Sequence, residues 1–254
     1  MNSQWQSVSE ADGLATLIAF LTHRGRSYPG GISSPNTALT AGSRLSVHLA
    51  RGRLTAREVW HAFREQVAAL DPDDSQSSRW KQSLQTFLSR LNWRDHFAQR
   101  LESEPAIEFQ TLHPCYRDLP FENNEQLHMS WRDGFTGYPL VDAVVRCLAD
   151  TGFVNFRMRA MVVSFACHVL HLDWRLIHPH PAQVFRDYDP GIHLNQLQMR
   201  AGVVGWNAFR VYNPTKQLIH IESKRGHPKK RHVSRVSLHE EQMEEQMGPS
   251  KNDP

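Results

Sequence analysis

"TGYPLVDAVVRCLADTG", Thr136 to Gly152, is the stretch on which the fold turns. Residues 139–152 read as one helix, closed by Gly152 just past the last turn, where glycine takes a left-handed backbone without a Cβ penalty. Downstream, "NFRMRAMVVSFACHVLHLDWR" (155–175) puts Met158, Met161, Val162, Phe165, Val169 and Leu172 at helical spacing. Upstream, residues 78–103 form a long helical pattern with Leu84, Phe87, Leu88, Leu91 and Phe97 in its apolar stripe. Residues 43–70 give a short helix, a break at Gly52 and a longer helix capped by Thr55. Residues 11–24 open with Leu14, Leu17, Ile18, Phe20 and Leu21 on one face. Between these lie a Gly/Pro/Ser-rich loop (25–43) and an irregular stretch (104–130). No alternating pattern of useful length is present. The expected fold class is all-α, with long functional loops.

Bulk properties agree with this. A chain of 254 residues can bury one large core or two small ones, and 40% hydrophobic with 22% charged residues is ordinary globular composition. No apolar run reaches membrane-spanning length, and the N-terminus has no secretory pattern. Cys115, Cys147 and Cys167 are scattered and odd in number, which suits reduced thiols and a cytoplasmic location. The net charge of +3 permits a polyanionic partner without requiring one. After Gln217 no aromatic residue occurs; a basic block precedes an acidic one, so residues 218–254 read as a disordered tail, with a candidate short helix at 237–247.

Taken singly, no chemical motif decides a function. His168 and His171 stand three apart and "HPHP" (178–181) follows, but no Cys or Glu completes a ligand set, so no metal is expected. Glycine-rich nucleotide fingerprints and nucleophile elbows are absent. Ser43 and Ser46, beside Gly42 at a helix start, suit a phosphate, though alone they are an ordinary cap. The remaining stretch, "DYDPGIHLNQLQMRAGVVGWNAFRVYNPTKQ" (187–217), is rich in polar groups and shows no helix or strand period.

In chain order, "SRLS", "RLNWRDHF", "GFTGYPLVDAVVRCLADTGFVNFRMRAMVVSFACHVLHLDWR" and "RVYNPTKQ" resemble the FAD-binding helical domain of the photolyase/cryptochrome family, over about residues 11–217. The resemblance implies that residues 187–217 wrap a U-shaped FAD and that Asp187 and Asp189 contact the flavin. Arg159 would pair with Asp187. Ser43, Arg44, Leu45, Ser46 and Arg94 would lie at the pyrophosphate, and Tyr28, Phe87 and Phe156 would flank the cofactor. An ungapped reading puts His193 opposite flavin N5, where asparagine is usual, with titration expected near the ordinary histidine pKa of about 6.5. Trp174 would belong to an electron-transfer chain whose other two tryptophan positions hold Leu197 and Phe121. On the substrate side, Trp93 would stack on a lesion, with Arg90, Arg157 and Met199 near the pocket mouth or DNA backbone.

The departures from the pattern carry their own expectations. The family's N-terminal α/β domain is missing, so no antenna chromophore is expected. Arg90 stands where many photolyases place an acid. The family's last helices are replaced by the polar tail. The function implied is light-driven repair of pyrimidine dimers in DNA by electron transfer from reduced FAD. The alternative is a cryptochrome-like light sensor or flavin-binding module without repair activity. A poorly folded fragment is the third reading.

Overall fold

The computed structural model describes residues 6–205 and 211–223. Among them every regular element is helical. In chain order these are α1 (Glu10–Thr22), α2 (Tyr28–Gly31), α3 (Ala38–Ala41), α4 (Ser46–Ala50), α5 (Ala56–Ala68), α6 (Ser75–Ser103) and α7 (Glu125–Asp133). They are followed by α8 (Pro139–Thr151), α9 (Phe156–His168), α10 (Trp174–Ile177), α11 (Pro179–Val184), α12 (Pro190–Arg200) and α13 (Pro214–Ser223). The all-α expectation holds.

Side-chain caps start the helices. Thr55 and Glu58 form a reciprocal capping box on α5, and Asp74 accepts from Gln76 and Ser77 at the head of α6. The decisive motif works as a hinge pin. Asp142 on α8, 8% exposed, accepts from the Thr136 amide (2.8 Å), the Thr136 hydroxyl (2.6 Å) and the Gly137 amide (3.1 Å). It thereby holds the turn that joins α7 to α8. Gly152 ends α8 with φ +69°, as its place after the last helical turn requires.

Two cores form. Leu17, Phe20, Leu45, Val59, Leu84 and Phe87 belong to the first, from the N-terminal helices and the first half of α6. Val141, Met161, Phe165, Leu172, Trp174 and Leu194 belong to the second, around α8, α9, α10 and α12. With 29 residues, α6 is about 44 Å long at 1.5 Å per residue, enough to run past both. Asn155 ties the halves: its amide donates to the carbonyls of Ile32 (3.2 Å) and Ser33 (3.1 Å).

Several sequence expectations need correction. The 25–43 loop holds the single-turn helices α2 and α3 and a 3-10 turn at Arg24–Ser27. Within 104–130, α7 begins at Glu125, capped by Asn124, whose side chain accepts from the Leu127 amide at 3.0 Å. The single helix over 155–175 breaks after His168. His171 turns into the left-handed region (φ 53°), and Asp173 recaps the chain as α10. The stretch without a period contains α12. Helix α13 runs to Ser223, six residues past the boundary read at 217, and Ile221 on it is 9% exposed. The candidate helix at 237–247 lies outside the described residues.

Candidate functional site

The site is organised by α12. Asp189 caps it, accepting from the Ile192 amide at 3.3 Å, and Pro190 stands in its first turn. Gly191 lets the helix approach α6 closely: a Cβ there would lie 3.0 Å from Ala98 Cα and 3.0 Å from the Phe97 carbonyl oxygen. One turn back on α6, Arg94 pairs with Asp189 (Nη2 to Oδ2, 3.2 Å), with side chains 27% and 16% exposed. On the other side, Arg159 of α9 donates from Nη2 to both oxygens of Asp187, at 3.0 and 2.9 Å. Asp187 is nearly sequestered, its side chain 4% exposed. Arg159 is fixed further by Nε donating to the Val154 carbonyl (2.7 Å) and by the Phe185 ring, 4.1 Å from its guanidinium carbon. Two acid–arginine pairs from two helices thus converge at the start of a third.

His193 lies one turn into α12, ringed by His178 (5.2 Å between centroids), Tyr188 (5.2 Å) and Phe185 (6.0 Å). Burial, then the neighbouring His178 and Arg159, push its imidazole down to about 3. It is therefore neutral throughout the physiological range, and the expected titration near 6.5 is replaced. Its Nε2 is buried and meets no partner among the described residues. His178 is also held below its ordinary value by burial, and burial raises Tyr188.

Residues 87–247, well over half the chain, match the family described as the FAD binding domain of DNA photolyase. The chain belongs to that family. A deoxyribodipyrimidine photo-lyase of Alkalihalophilus pseudofirmus is 30% identical over 216 residues, 84% of this chain and 42% of the relative. A Thermus thermophilus protein of the same name is 33% identical over 180 residues, 69% of this chain and 39% of the relative. Among solved structures, a class III photolyase from Agrobacterium tumefaciens aligns with TM-score 0.75 and 26% identity, over 85% of this chain and 43% of the other. A Synechocystis cryptochrome aligns with TM-score 0.75 and 27% identity, over 85% and 43%. The chain thus spans about two-fifths of the length of the curated photolyases it matches.

The residues expected at the cofactor in this photolyase-family domain divide into two groups. Arg94, Arg159, Asp187, Asp189 and His193 are drawn together as described. The buried, unpartnered atoms His193 Nε2 and Asn155 Oδ1 are the kind of group a polar ligand satisfies. With half-buried Ser43 and Ser46 hydroxyls and the exposed Phe156 ring (48%), the set fits a flavin dinucleotide. Tyr28, Leu45 and Phe87 behave differently. Their side chains are 7%, 0% and 4% exposed and pack in the first core, where Tyr28, Phe87 and Phe20 stack edge to face at 4.8–5.7 Å. Burial pushes the Tyr28 hydroxyl up to about 12. These side chains belong to the first core. Arg44 is exposed with φ 59°, its carbonyl accepting from Gln6 at 2.9 Å, while Arg24 holds the carbonyls of Gly42 (2.7 Å) and Ser43 (3.2 Å).

The residues expected on the substrate side lie on α6, α9 and α12, and α12 packs on both of the others. Trp93 is 52% exposed, with the Arg90 guanidinium carbon 4.3 Å from its ring centre. Arg157 on α9 is exposed, and half-buried Met199 on α12 accepts a long contact from Gln196 at 3.8 Å. Trp93 and Arg90 thus form one pair on α6, with Arg157 and Met199 on separate helices. Trp174 is fully buried and donates to the Thr111 hydroxyl at 3.5 Å; Leu197 is 2% exposed and Phe121 half-buried. His168 Nε2 meets the Arg200 carbonyl oxygen at 2.9 Å, and no metal-ligand cluster occurs among the described residues. No described helix is long and apolar enough to cross a membrane.

Sequence reasoning missed His178, Phe185, Tyr188, Asn155 and Gly191. "HPHP" suggests metal binding first, although a histidine one short helix before two paired acids is well placed to face them. Asn155 opens "NFRMR" as a cap residue and shows its second role only in three dimensions. Gly191, directly after Asp-Pro, carried a local signal: a glycine in the first turn of a helix invites a close-approach reading.

Proposed function

We propose that this domain holds FAD non-covalently and performs the light-driven step of a photolyase, acting on pyrimidine dimers in DNA. The observation that carries the reading is the convergence of the Arg159–Asp187 and Arg94–Asp189 pairs on the start of α12, beside the neutral, unpartnered nitrogen of His193. When bound, the flavin supplies light-driven electron transfer, the chemistry the protein itself lacks. The chain's own residues bind and orient. Arg159 pairs with the buried Asp187 and fixes it, so its oxygens stay aimed as acceptors. Arg94 is left partly exposed by its pairing with Asp189, and it offers positive charge to a pyrophosphate. His193, uncharged, presents a hydrogen-bonding nitrogen without adding a cation. On the outer face, Trp93 gives an exposed aromatic plane on which a displaced base can stack, and Arg90 and Arg157 add positive charge for a phosphate backbone.

A non-repairing light sensor is the second reading. Arg90 in place of an acid beside Trp93 favours it, as does a cryptochrome structure that aligns as well as a photolyase does. The test has two stages. Purified protein incubated with excess FAD and desalted should be yellow and release FAD on heating; colourless protein would sink both readings. The loaded protein is then reduced with dithionite under argon, illuminated with dimer-containing oligonucleotide, and the products separated. Restored thymines support the repair reading, and unchanged dimers with retained FAD support the sensor.

A further inference from the structure

A concavity of about 380 Å³ is lined by Arg51, Arg53 and Arg186 together with Val8, Gln183, Val184 and Phe185. Among the described residues its lining contains no carboxylate. None of these three arginines is among those assigned to the cofactor or to the lesion.

The cations are placed by the backbone. Arg51 caps the C-terminus of α4, and its Nε donates to the Arg186 carbonyl at 3.2 Å, across 135 residues of sequence. Gly52 follows with φ +64°, a turn that only glycine takes without strain, and the Arg53 amide returns to the His48 carbonyl at 2.8 Å. Arg53 therefore leaves the turn beside Arg51. Arg186 is set by α8: its amide donates to the Gly152 carbonyl at 3.0 Å, and its stem runs so close to Gly152 that a Cβ there would lie 2.5 Å from Cγ. Arg51 and Arg53 bring two like charges to one cleft, and their approach is offset when an anion occupies it. Guanidinium groups in a fixed fork suit a phosphate oxygen pair.

We propose that this cleft binds a phosphate group, presented by a nucleic-acid backbone or by a small phosphorylated molecule. The inference stands apart from the cofactor reading, although Phe185 forms a wall of both places: its ring lies under Arg159 on one side and lines the cleft.

The test uses the full chain. Inorganic phosphate binding is followed by 31P line broadening. Binding of a short fluorescein-labelled, undamaged single-stranded oligonucleotide is followed by anisotropy over a salt series. The variant is Arg51→Gln with Arg53→Gln. The control is Arg57→Gln with Arg79→Gln, which removes the same charge from positions elsewhere on the protein. The cleft variant should weaken binding by about tenfold or more, and the oligonucleotide's salt slope should flatten by about 0.7 for each phosphate it no longer neutralises. Arg51→Lys with Arg53→Lys should recover part of the affinity. Weaker binding of the oligonucleotide, with or without phosphate, assigns a nucleic-acid backbone; weaker binding of phosphate alone assigns a small ligand. Unchanged binding, or an equal weakening in the control, overturns the proposal. So does loss of FAD in the cleft variant with helical content retained, because the cleft would then belong to the cofactor site. Should the double variant unfold, Arg53→Gln alone gives the same reading, since its side chain is exposed.

Discussion

The Arg159–Asp187 pair makes the sharpest energetic prediction, because its two members are buried unequally. Asp187 has a side chain 4% exposed and takes both bonds from Arg159 Nη2, at 2.9–3.0 Å. Removing the arginine strands a carboxylate in a nearly dry place, a change that costs about 3–5 kcal/mol. Removing the acid strands a guanidinium that is 29% exposed, still bound to the Val154 carbonyl and still lying on Phe185. That change should cost about 1–3 kcal/mol, the range for a charge-assisted hydrogen bond. Arg159→Met is thus expected to be the more damaging single change, and Asp187→Asn the milder. The double variant leaves no stranded charge, so its cost should fall below the sum of the singles by about 1–3 kcal/mol. Urea unfolding followed by circular dichroism, in the absence of added FAD, measures all four proteins. Additivity within about 0.5 kcal/mol, or Asp187→Asn costing more than Arg159→Met, would refute the burial argument.

Other expectations follow from single features of the site. Gly191→Ala should lower stability by about 1–3 kcal/mol, because the new Cβ meets α6 backbone at 3.0 Å, and thermal unfolding checks this. Arg94→Ala should weaken FAD retention by roughly ten- to a hundredfold in equilibrium dialysis, the effect of removing one charge-assisted hydrogen bond. His193 is depressed to about 3 in the folded state while the unfolded chain protonates near the ordinary value of about 6.5. Above that value both states are neutral and it adds no pH dependence; as pH falls from about 6.5 towards 3, the unfolded state alone gains the proton and stability drops. His193→Asn should therefore remove up to about 1.4 kcal/mol per pH unit of that slope between about pH 6 and 4, measured by urea titration, and an unchanged slope would place the imidazole in solvent.

What the sequence disclosed about the fold follows from how local each cause is. Thr55, Gly152 and the apolar stripe of α6 act within one or two turns, and each appears in the structure as read. The break after His168 had no such marker. His171 takes a left-handed backbone that histidine adopts seldom, and the Glu122 amide and Asn123 side chain hold the segment from a distant loop, at 3.1 and 3.0 Å. Only tertiary contact explains it. Helix α12 was hidden for a different reason. Two polar residues, Asn195 (2% exposed) and Gln198 (0%), sit on its buried face and interrupt the apolar period. Gln198 is fully used there. Its oxygen accepts from the Leu112 amide at 2.7 Å, and its nitrogen donates to the carbonyls of Ile107 and Gln110 at 3.0 and 2.9 Å.

The same polar face explains why the acids at the head of α12 stand out in the sequence while the helix itself does not. A site residue is recognised by its chemical type, and two acids bracketing a tyrosine stay visible whatever the backbone does. A helix is recognised by repetition, and function breaks repetition: α12 must bring Asp187 and Asp189 to Arg159 and Arg94 and also clamp the 107–112 loop through Gln198. A buried polar side chain is tolerated when its hydrogen bonds are all met, and each of these is specific to one register of α12 against its neighbours. An apolar helix in this position could slide or rotate by one residue at modest cost. With Gln198 and Gly191 both engaged, a shift of one residue would break the Gln198 hydrogen bonds at one end and drive a side chain into α6 at the other. The interrupted period is what keeps Asp187 and Asp189 in place.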